Sequence, residues 1–217
     1  MPLNNWKEEK TMSHMIAKPE ETFRHLVPTG DALLRELEKE AEVEGIPIVG
    51  PVVGELLYLL ARVSKATRIL ELGCATGYSA IHLARALDAS EGQLITLENN
   101  QDMAARAQAN FRKAGLEGRI EIKMGDALET LLALSGPFDL VFLDIEKKDY
   151  IRALPHCEKH LREGGLLVAD NVAFKDAEAF NRALYDRPGW QPVHLLSFLP
   201  LHSPERDGIC LALRTQL

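Results

Sequence analysis

The sequence has few of the features that mark secreted, membrane-spanning or zinc-binding proteins. Its 217 residues contain only three cysteines, Cys74, Cys157 and Cys210. An odd, widely spaced set provides neither a disulfide framework nor paired zinc knuckles. Even the apolar stretch 46–61 is interrupted by prolines, glycines and an acidic residue, so no run approaches the ~18 residues of a membrane span. Residues 1–18 are polar and lack the apolar core of a signal peptide, which predicts a cytoplasmic protein.

Positive charge is also scarce. The chain has 25 Lys and Arg against 32 Asp and Glu, a formal net charge of −7. Nucleic-acid binding normally needs a basic surface, so this balance disfavours a polyanionic partner without excluding one. Hydrophobic residues make up 46% of the chain, enough to fill one large core, which excludes a disordered, collagen-like or coiled-coil protein.

The order of apolar segments predicts one α/β domain over residues 29–217. An arm over residues 1–28 precedes it and is either loose or laid over the body. Asp31 and Gly45 bracket a first amphipathic helix, and a second apolar helix follows Pro51. From there short apolar runs alternate with helical patterns, as in a doubly wound sheet. The predicted strands are residues 69–72, 94–97, 120–122, 140–143 and 166–169, followed by an antiparallel pair at 193–198 and 209–213.

A glycine-rich turn follows the first predicted strand. Glu71, Gly73 and Gly77 lie in the run ELGCATGYS, where small residues let the backbone approach a ligand before the next helix begins. Glu98 ends the second strand, about 20 residues after the glycines, where a carboxylate can accept hydrogen bonds from ribose hydroxyls. Together these features predict an adenosine ligand, and the acid at Glu71 favours a cationic ligand over a pyrophosphate. An ordinary strand-to-helix turn would also contain such glycines.

A further carboxylate follows the third predicted strand, in the turn made by Gly125, Asp126 and Ala127. Asp126 is placed to accept a hydrogen bond from an adenine amino group. It would equally serve as the N-cap of the helix predicted over residues 127–134, because aspartate is a preferred capping residue. The sequence leaves both interpretations open.

Oxygen-bearing side chains follow the fourth and fifth predicted strands, whose continuous apolar runs are typical of central parallel strands. Asp144 ends the fourth strand, and Asp170 and Asn171 end the fifth. If these strands are neighbours, two carboxylates and one amide oxygen converge, a set that suits a hard cation such as Mg²⁺. Lys147 would lie at the rim of that site and could accept the proton of a bound hydroxyl. The alternative is that both segments are ordinary solvated turns.

These motifs resemble the class I S-adenosylmethionine-dependent, metal-dependent O-methyltransferases of the catechol and caffeoyl-coenzyme A type. The resemblance covers about residues 30–217. Its most specific parts are the run 71–79, the pattern Asp144-x-x-Lys147-x-x-Tyr150, and Asp170-Asn171-Val172. It implies a Rossmann-like, doubly wound sheet of seven strands with the last strand antiparallel, N-terminal helices in addition, and a homodimer.

The resemblance also assigns roles to individual residues. Asp144, Asp170 and Asn171 match the ligands of Mg²⁺ or a similar divalent cation, and Lys147 matches the catalytic base. The implied cofactor is S-adenosylmethionine, with S-adenosylhomocysteine as product. The matching cofactor-binding positions are Val49, Glu71, Gly73, Ser79, Glu98, Asp126, Ala127 and Asp144. The implied reaction is methyl transfer to a hydroxyl of a catechol-like phenolic small molecule.

One departure from the family concerns the acceptor. After Val172 the family commonly has a longer loop, whereas residues 173–175 pass almost at once into a helical pattern. This predicts a short, open wall on the acceptor side. Residues 1–28 and the turn-rich loop 199–207 are the candidate covers of the site.

Two alternative functions remain open at the level of the sequence. Bacterial relatives in this family methylate 5-hydroxyuridine at the tRNA wobble position, and residues 45–48 resemble them too. The cluster of Lys147, Lys148 and Arg152 is the sequence's hint of a basic surface for tRNA. A non-catalytic module that binds S-adenosylmethionine ranks lower, because it would tolerate loss of Lys147 and of the metal ligands, all of which are present.

Overall fold

The computed structural model describes residues 15–88 and 92–216. The strands are β1 (Arg68–Leu72), β2 (Gln93–Glu98), β3 (Ile120–Met124), β4 (Phe138–Leu143), β5 (Leu161–Ala169), β6 (Trp190–Phe198) and β7 (Arg206–Arg214). The α-helices are α1 (Pro19–Arg24), α2 (Ala32–Glu44), α3 (Gly50–Val63), α4 (Tyr78–Ala86), α5 (Gln101–Lys113), α6 (Ala127–Ala133), α7 (Tyr150–His160) and α8 (Glu178–Asp186). Short 3₁₀ helices lie at Lys147–Asp149 and Lys175–Ala177.

The strands form one seven-stranded sheet in the order β3–β2–β1–β4–β5–β7–β6. β1 to β5 pair in parallel, and β7 lies antiparallel between β5 and β6. The predicted α/β fold, a doubly wound sheet with an antiparallel last strand, is confirmed. β4 and β5 are neighbours inside the sheet, so their carboxyl ends meet at one edge, where ligands bind in open α/β sheets.

The central strands are apolar throughout because both of their faces are covered. In β4, Leu140 and Phe142 pack into one buried cluster with α3 and α4, whereas Val141 and Leu143 pack into a second cluster with α7 and α8. All four side chains are fully buried. At about 1.5–3 kcal/mol for each large aliphatic or aromatic side chain removed from water, this double burial fixes the strand that carries Asp144.

Helix α2 begins and ends where the sequence predicts. The Asp31 carboxylate accepts a hydrogen bond from the backbone N–H of Leu34 at 3.0 Å, which caps the N-terminus. Gly45 ends the helix in the left-handed conformation, with φ 69°. Leu37 and Ala41 lie on the buried face. α2 and α3 both contribute side chains to the buried cluster on one side of the sheet.

All seven strands are longer than the apolar runs that predict them, and β5, β6 and β7 are longer by three residues or more. β5 begins at Leu161 because this residue pairs with Phe138, ahead of a register shift that precedes the apolar run. The hairpin of β6 and β7 pairs continuously from Trp190 with Arg214 to Phe198 with Arg206. Antiparallel pairing satisfies the backbone whatever the side chains are, so polar and charged positions at strand ends extend the hairpin beyond the apolar core.

The described part of the N-terminal arm lies over the body of the protein. Arg24, at the end of α1, donates two hydrogen bonds of 2.6 Å to Glu205 in the loop between β6 and β7. Glu20 forms an ion pair with Arg206. Residues 1–14 of the arm lie outside the described residues. Among residues 15–88 and 92–216, no helix is long and apolar enough to span a membrane.

Candidate active site

A cavity of about 350 Å³ opens at the carboxyl ends of β1, β2, β4 and β5. Ten of the eleven residues that the sequence singles out for a site line it. They are Val49, Gly73, Ser79, Glu98, Asp126, Ala127, Asp144, Lys147, Asp170 and Asn171. The eleventh, Glu71, is not among the described residues that line the cavity.

The glycine turn brings the end of β1 against the end of β4. Gly73 has φ +96°, and a Cβ added to it would lie 2.0 Å from the backbone oxygen of Asp144. Any side chain here would therefore push the two strand ends apart. Gly77 has φ +88°, and a Cβ added to it would likewise lie too close to the ring of Phe111. The turn is thus built to keep the backbone close both to a neighbouring strand and to the cavity.

Glu98 fastens the end of β2 to the glycine turn. One carboxylate oxygen accepts hydrogen bonds from the backbone N–H groups of Ala75 at 2.8 Å and Cys74 at 3.3 Å. The other accepts from Asn99 and Asn100 at 3.0 and 2.8 Å. These four contacts hold the carboxylate at the cavity wall. Its contact with a ribose stays a prediction.

Asp126 caps α6, as one of its two interpretations proposes. Its Oδ1 accepts hydrogen bonds from the backbone N–H groups of Leu128 at 2.9 Å and Glu129 at 3.1 Å. The residue is exposed at the cavity rim beside Ala127. A capping role and a contact with a ligand are compatible, because a carboxylate has about four acceptor positions.

Glu71 lies beneath the glycine turn rather than on the cavity wall. It is fully buried, and Thr96 donates a 2.5 Å hydrogen bond to its Oε2. Its Oε1 has no hydrogen-bond partner within residues 15–88 and 92–216. Burial raises the pKa of Glu71 to about 8, although hydrogen bonds from Ser79 and Thr96 lower it in part. Glu71 would therefore act on the cofactor across the glycine turn rather than from the cavity wall.

Glu71 should make the unliganded protein less stable as pH rises. The unfolded chain loses this proton near its ordinary pKa of 4.5, whereas the folded protein keeps it until about pH 8, so wild-type stability declines between those values. Glu71→Gln removes the titration. We expect the free energy of unfolding of the variant to increase relative to that of wild type, by on the order of a few kcal/mol, as pH rises across this window.

Urea denaturation of both proteins at about pH 5 and about pH 8 measures this difference. Glu117→Gln, at an exposed position, is the matched control and should leave the pH dependence of wild type unchanged. Parallel pH profiles for wild type and Glu71→Gln would contradict the prediction.

The predicted oxygen cluster is present at the ends of β4 and β5. Asp144 and Asp170 directly follow the paired residues Leu143 and Ala169. The hydroxyl of Tyr150 lies 3.1 Å from the Leu143 carbonyl oxygen and 3.0 Å from that of Asp170, which ties the two strand ends together. These contacts explain why a tyrosine ends the pattern Asp144-x-x-Lys147-x-x-Tyr150.

Each side chain of the cluster is held by a neighbour. Lys147 donates a 2.9 Å hydrogen bond to Oδ1 of Asp144. Asn171 donates through Nδ2 to Oδ2 of Asp207 at 2.5 Å, which leaves its side-chain oxygen as the acceptor that a cation would use. The backbone of Asn171 is left-handed, with φ 50°, as asparagine tolerates.

Asp170 is buried and only half satisfied. Its Oδ2 lies 2.8 Å from Nε2 of His202. Its Oδ1 has no hydrogen-bond partner among the described residues. An unpaired buried carboxylate oxygen is costly, on the order of 1–3 kcal/mol or more. A cation beside Oδ1 would remove that cost.

The electrostatics of the cluster also suit a cation. Burial raises the pKa of Asp144, the charge of Asp170 raises it further, and Lys147 opposes both. Burial lowers the pKa of His202, but the hydrogen bonds to Asp170 and Pro204 and the charges of Asp170 and Asp207 together outweigh burial, so that the pKa is raised. Two carboxylates this close repel each other, and a positive charge between them would stabilise both.

The candidate metal ligands are not a cluster made only of His, Cys and carboxylate side chains. Within the described residues no group of three or more His, Cys, Asp or Glu side chains has the geometry to hold a metal ion. The candidate set instead has two carboxylates and the amide of Asn171. Hard oxygen donors of this kind fit Mg²⁺, which keeps several water or substrate oxygens in its coordination shell.

Two residues of the cluster are missed by reasoning from the sequence. His202 comes from the loop between β6 and β7, and Asp207 comes from the start of β7. The sequence names residues 199–207 as a candidate cover without singling out these side chains. His202 and Ser203 of this loop line the cavity, whereas Asp207 lies behind Asn171. Histidine in a turn-rich loop is a common surface feature, so its position in the sequence carried no signal.

Comparison with known proteins identifies the family. The family model for O-methyltransferases matches residues 29–181 of this chain. The chain belongs to the O-methyltransferase family. A protein of Niastella koreensis named catechol O-methyltransferase is 43% identical over 148 residues, which cover 65% of this chain and 66% of that protein. A Mycobacterium tuberculosis protein with the same name is 40% identical over 120 residues, covering 55% and 54%.

The matched segments thus span from about half to just under two thirds of these two relatives. A solved structure covers more of the chain. The O-methyltransferase TomG from Streptomyces achromogenes, in complex with SAM, superposes with a TM-score of 0.81 and 31% identity, covering 91% of this chain and 96% of that one. The names of these members of the O-methyltransferase family mention no nucleic acid.

Proposed function

We propose that this protein transfers the methyl group of S-adenosylmethionine to one hydroxyl of a catechol-like phenol, with Mg²⁺ or a similar divalent cation at the oxygen cluster. The observation that carries the proposal is the meeting, in one cavity, of the glycine turn, the oxygen cluster and Lys147. The names of the two relatives support the choice of a catechol.

The cofactor half of the cavity is assigned to the ends of β1, β2 and α6. Glu98 would accept hydrogen bonds from the ribose, and Asp126 and Ala127 would contact the adenine. Val49, Gly73, Ser79 and Asp144 would surround the methionine portion. Buried Glu71 would act from behind the turn, where the positive charge of the sulfonium would favour loss of the proton that Glu71 keeps up to about pH 8 in the unliganded protein.

The acceptor half is assigned to the oxygen cluster. Asp144, Asp170 and the side-chain oxygen of Asn171 would hold the cation. The observation that supports this fit is the buried Oδ1 of Asp170, which has no hydrogen-bond partner within residues 15–88 and 92–216. When bound, the cation supplies positive charge that lowers the pKa of an acceptor hydroxyl. Two vicinal oxygens of a catechol can share one cation, which orients one of them toward the cofactor.

Lys147 would act as the general base. Its Nζ accepts the proton of the acceptor hydroxyl, and the resulting phenolate oxygen forms a bond to the methyl carbon of S-adenosylmethionine. The bond between that carbon and sulfur breaks, and sulfur keeps the electron pair, which gives S-adenosylhomocysteine and the methyl ether. Asp144, 2.9 Å from Nζ, holds Lys147 in place. Most of the rate would come from this positioning and from electrostatic stabilisation of the phenolate.

The acceptor is expected to be small. Six carboxylates line the described cavity against one lysine and one histidine. The basic cluster that hints at tRNA is largely neutralised, because Lys147 pairs with Asp144 and Arg152 pairs with Asp149. An RNA backbone would meet repulsion at this entrance. A homodimer, which the family resemblance implies, and a cytoplasmic location are further parts of the proposal.

A labelling experiment separates the functions. The protein is incubated with methyl-labelled S-adenosylmethionine and Mg²⁺ and, in turn, with a panel of catechols and with undermodified tRNA. Label in a catechol is the expected result. Label in tRNA alone would replace the proposed acceptor, and cofactor binding without transfer to either would favour a non-catalytic module.

A further inference from the structure

His202 is a buried polar side chain beside the oxygen cluster that the proposed reaction does not use. It belongs to the loop between β6 and β7, and its side chain is 1% exposed. Nε2 lies 2.8 Å from Oδ2 of Asp170, and Nδ1 lies 2.7 Å from the carbonyl oxygen of Pro204. The ring is therefore held at both nitrogens.

The partner of Nδ1 fixes the direction of its hydrogen bond. The carbonyl oxygen of Pro204 can only accept, so Nδ1 donates to it. Nε2 lies within hydrogen-bond distance of Oδ2 of Asp170 and donates to that oxygen when both ring nitrogens carry a proton. His202 thus uses one end of the ring as an anchor and the other to hold a single oxygen of Asp170. It leaves Oδ1, the oxygen without a partner in the described chain, for another ligand.

The loop that carries His202 is closed by its own contacts. The backbone N–H of His202 donates to the Leu199 carbonyl at 3.0 Å, and that of Leu199 donates to the Glu205 carbonyl at 2.6 Å. The Glu205 side chain accepts from the backbone N–H of Leu201 at 3.0 Å and from Arg24 of α1. This loop therefore presents the imidazole at a defined place rather than as a mobile surface group.

We propose that His202 is a positioning residue for the divalent cation: it fixes Asp170 through Oδ2 so that Oδ1 is oriented to bind the metal. The inference rests on the proposed function, because it needs the cation to bind at Asp170. Partners that orient metal ligands in this way are worth about 10–100-fold in metal affinity. His202 itself does not touch the reacting atoms in this account.

Direct metal binding tests the proposal without relying on turnover. Mn²⁺ serves as the probe, and the signal of free Mn²⁺ in electron paramagnetic resonance gives its Kd in the presence of S-adenosylhomocysteine. His202→Ala removes the donor and should weaken Mn²⁺ binding by about 10–100-fold. His202→Gln keeps an N–H at a similar reach and should bind Mn²⁺ more tightly than the alanine variant. His194→Gln, at an exposed position on β6, is the matched control.

The outcomes are distinct. Wild-type Mn²⁺ affinity in His202→Ala would overturn the positioning role, and so would a glutamine variant as weak as the alanine variant. An unchanged Kd for S-adenosylhomocysteine in each variant shows that the fold is intact. If His202→Ala does not fold, the Mn²⁺ affinity of His202→Gln is compared with that of wild type instead. A wild-type protein that binds no Mn²⁺ would instead overturn the cation in the proposed function, and the role of His202 with it.

Discussion

Replacing Lys147 with alanine should lower kcat by about 10²–10⁴-fold, the usual contribution of a positioned general base. The Kd for S-adenosylmethionine should change little, because Lys147 is assigned to the acceptor half of the cavity and the cofactor to the glycine turn. Steady-state rates with a catechol, together with calorimetric titration of the cofactor, measure the two quantities separately.

Lys148→Ala is the control for a general loss of positive charge. Lys148 is the next residue, is exposed, and does not line the cavity, so its removal should leave kcat close to wild type. Equal kcat values for Lys147→Ala and Lys148→Ala would remove Lys147 from the mechanism.

Replacing Asp170 with asparagine should lower metal-dependent turnover by about 10³-fold. The substitution keeps the size of the side chain and removes the charge, so that one of the two carboxylates assigned to the cation is lost. A cation is worth several kcal/mol of charge stabilisation in the transition state, and each 1.36 kcal/mol is tenfold in rate, which sets the expected size. Initial rates against Mg²⁺ concentration measure the effect.

Asp176→Asn controls for loss of an acidic side chain on the same stretch of chain. Asp176 is exposed and lies outside the cavity, so this variant should keep the Mg²⁺ dependence of wild type. An Asp170→Asn protein with full activity, or a wild-type protein whose rate does not change when a chelator is added, would refute the metal assignment.

Much of the fold follows from the sequence because parallel sheets impose a simple code. Strands covered on both faces must be apolar throughout, as Leu140–Leu143 is, and their carboxyl ends must meet at one edge. Asp144 and Asp170 directly follow two such runs. Their approach is therefore predictable once β4 and β5 are recognised as neighbours, without any knowledge of side-chain contacts.

What the sequence could not supply depends on contacts between distant segments. His202 reaches Asp170, and Asp207 reaches Asn171, only because β7 lies beside β5 in a particular register, with Ala169 opposite Cys210. Strand register is set by packing across the whole sheet rather than by the loop itself. The pairing of Arg24 with Glu205 is unpredictable for the same reason.

A sequence motif also cannot specify on which side of the strand the Glu71 side chain lies. An acid two residues before Gly73 suggests a carboxylate that faces the ligand. Alternation along β1 instead directs the side chain beneath the turn, to Thr96 on β2. The motif identifies the neighbourhood correctly, while the side of the strand on which Glu71 lies decides that it is buried and that its pKa is raised.

The most direct test of the account is methyl transfer to a catechol compared with transfer to the matching monohydroxy phenol, each measured with Mg²⁺ and with a chelator. If two vicinal oxygens share a cation at Asp144, Asp170 and Asn171, the purified protein should methylate only the catechol, and the chelator should abolish the reaction. Equal methylation of both phenols, or a catechol rate that survives the chelator, would contradict the central claim.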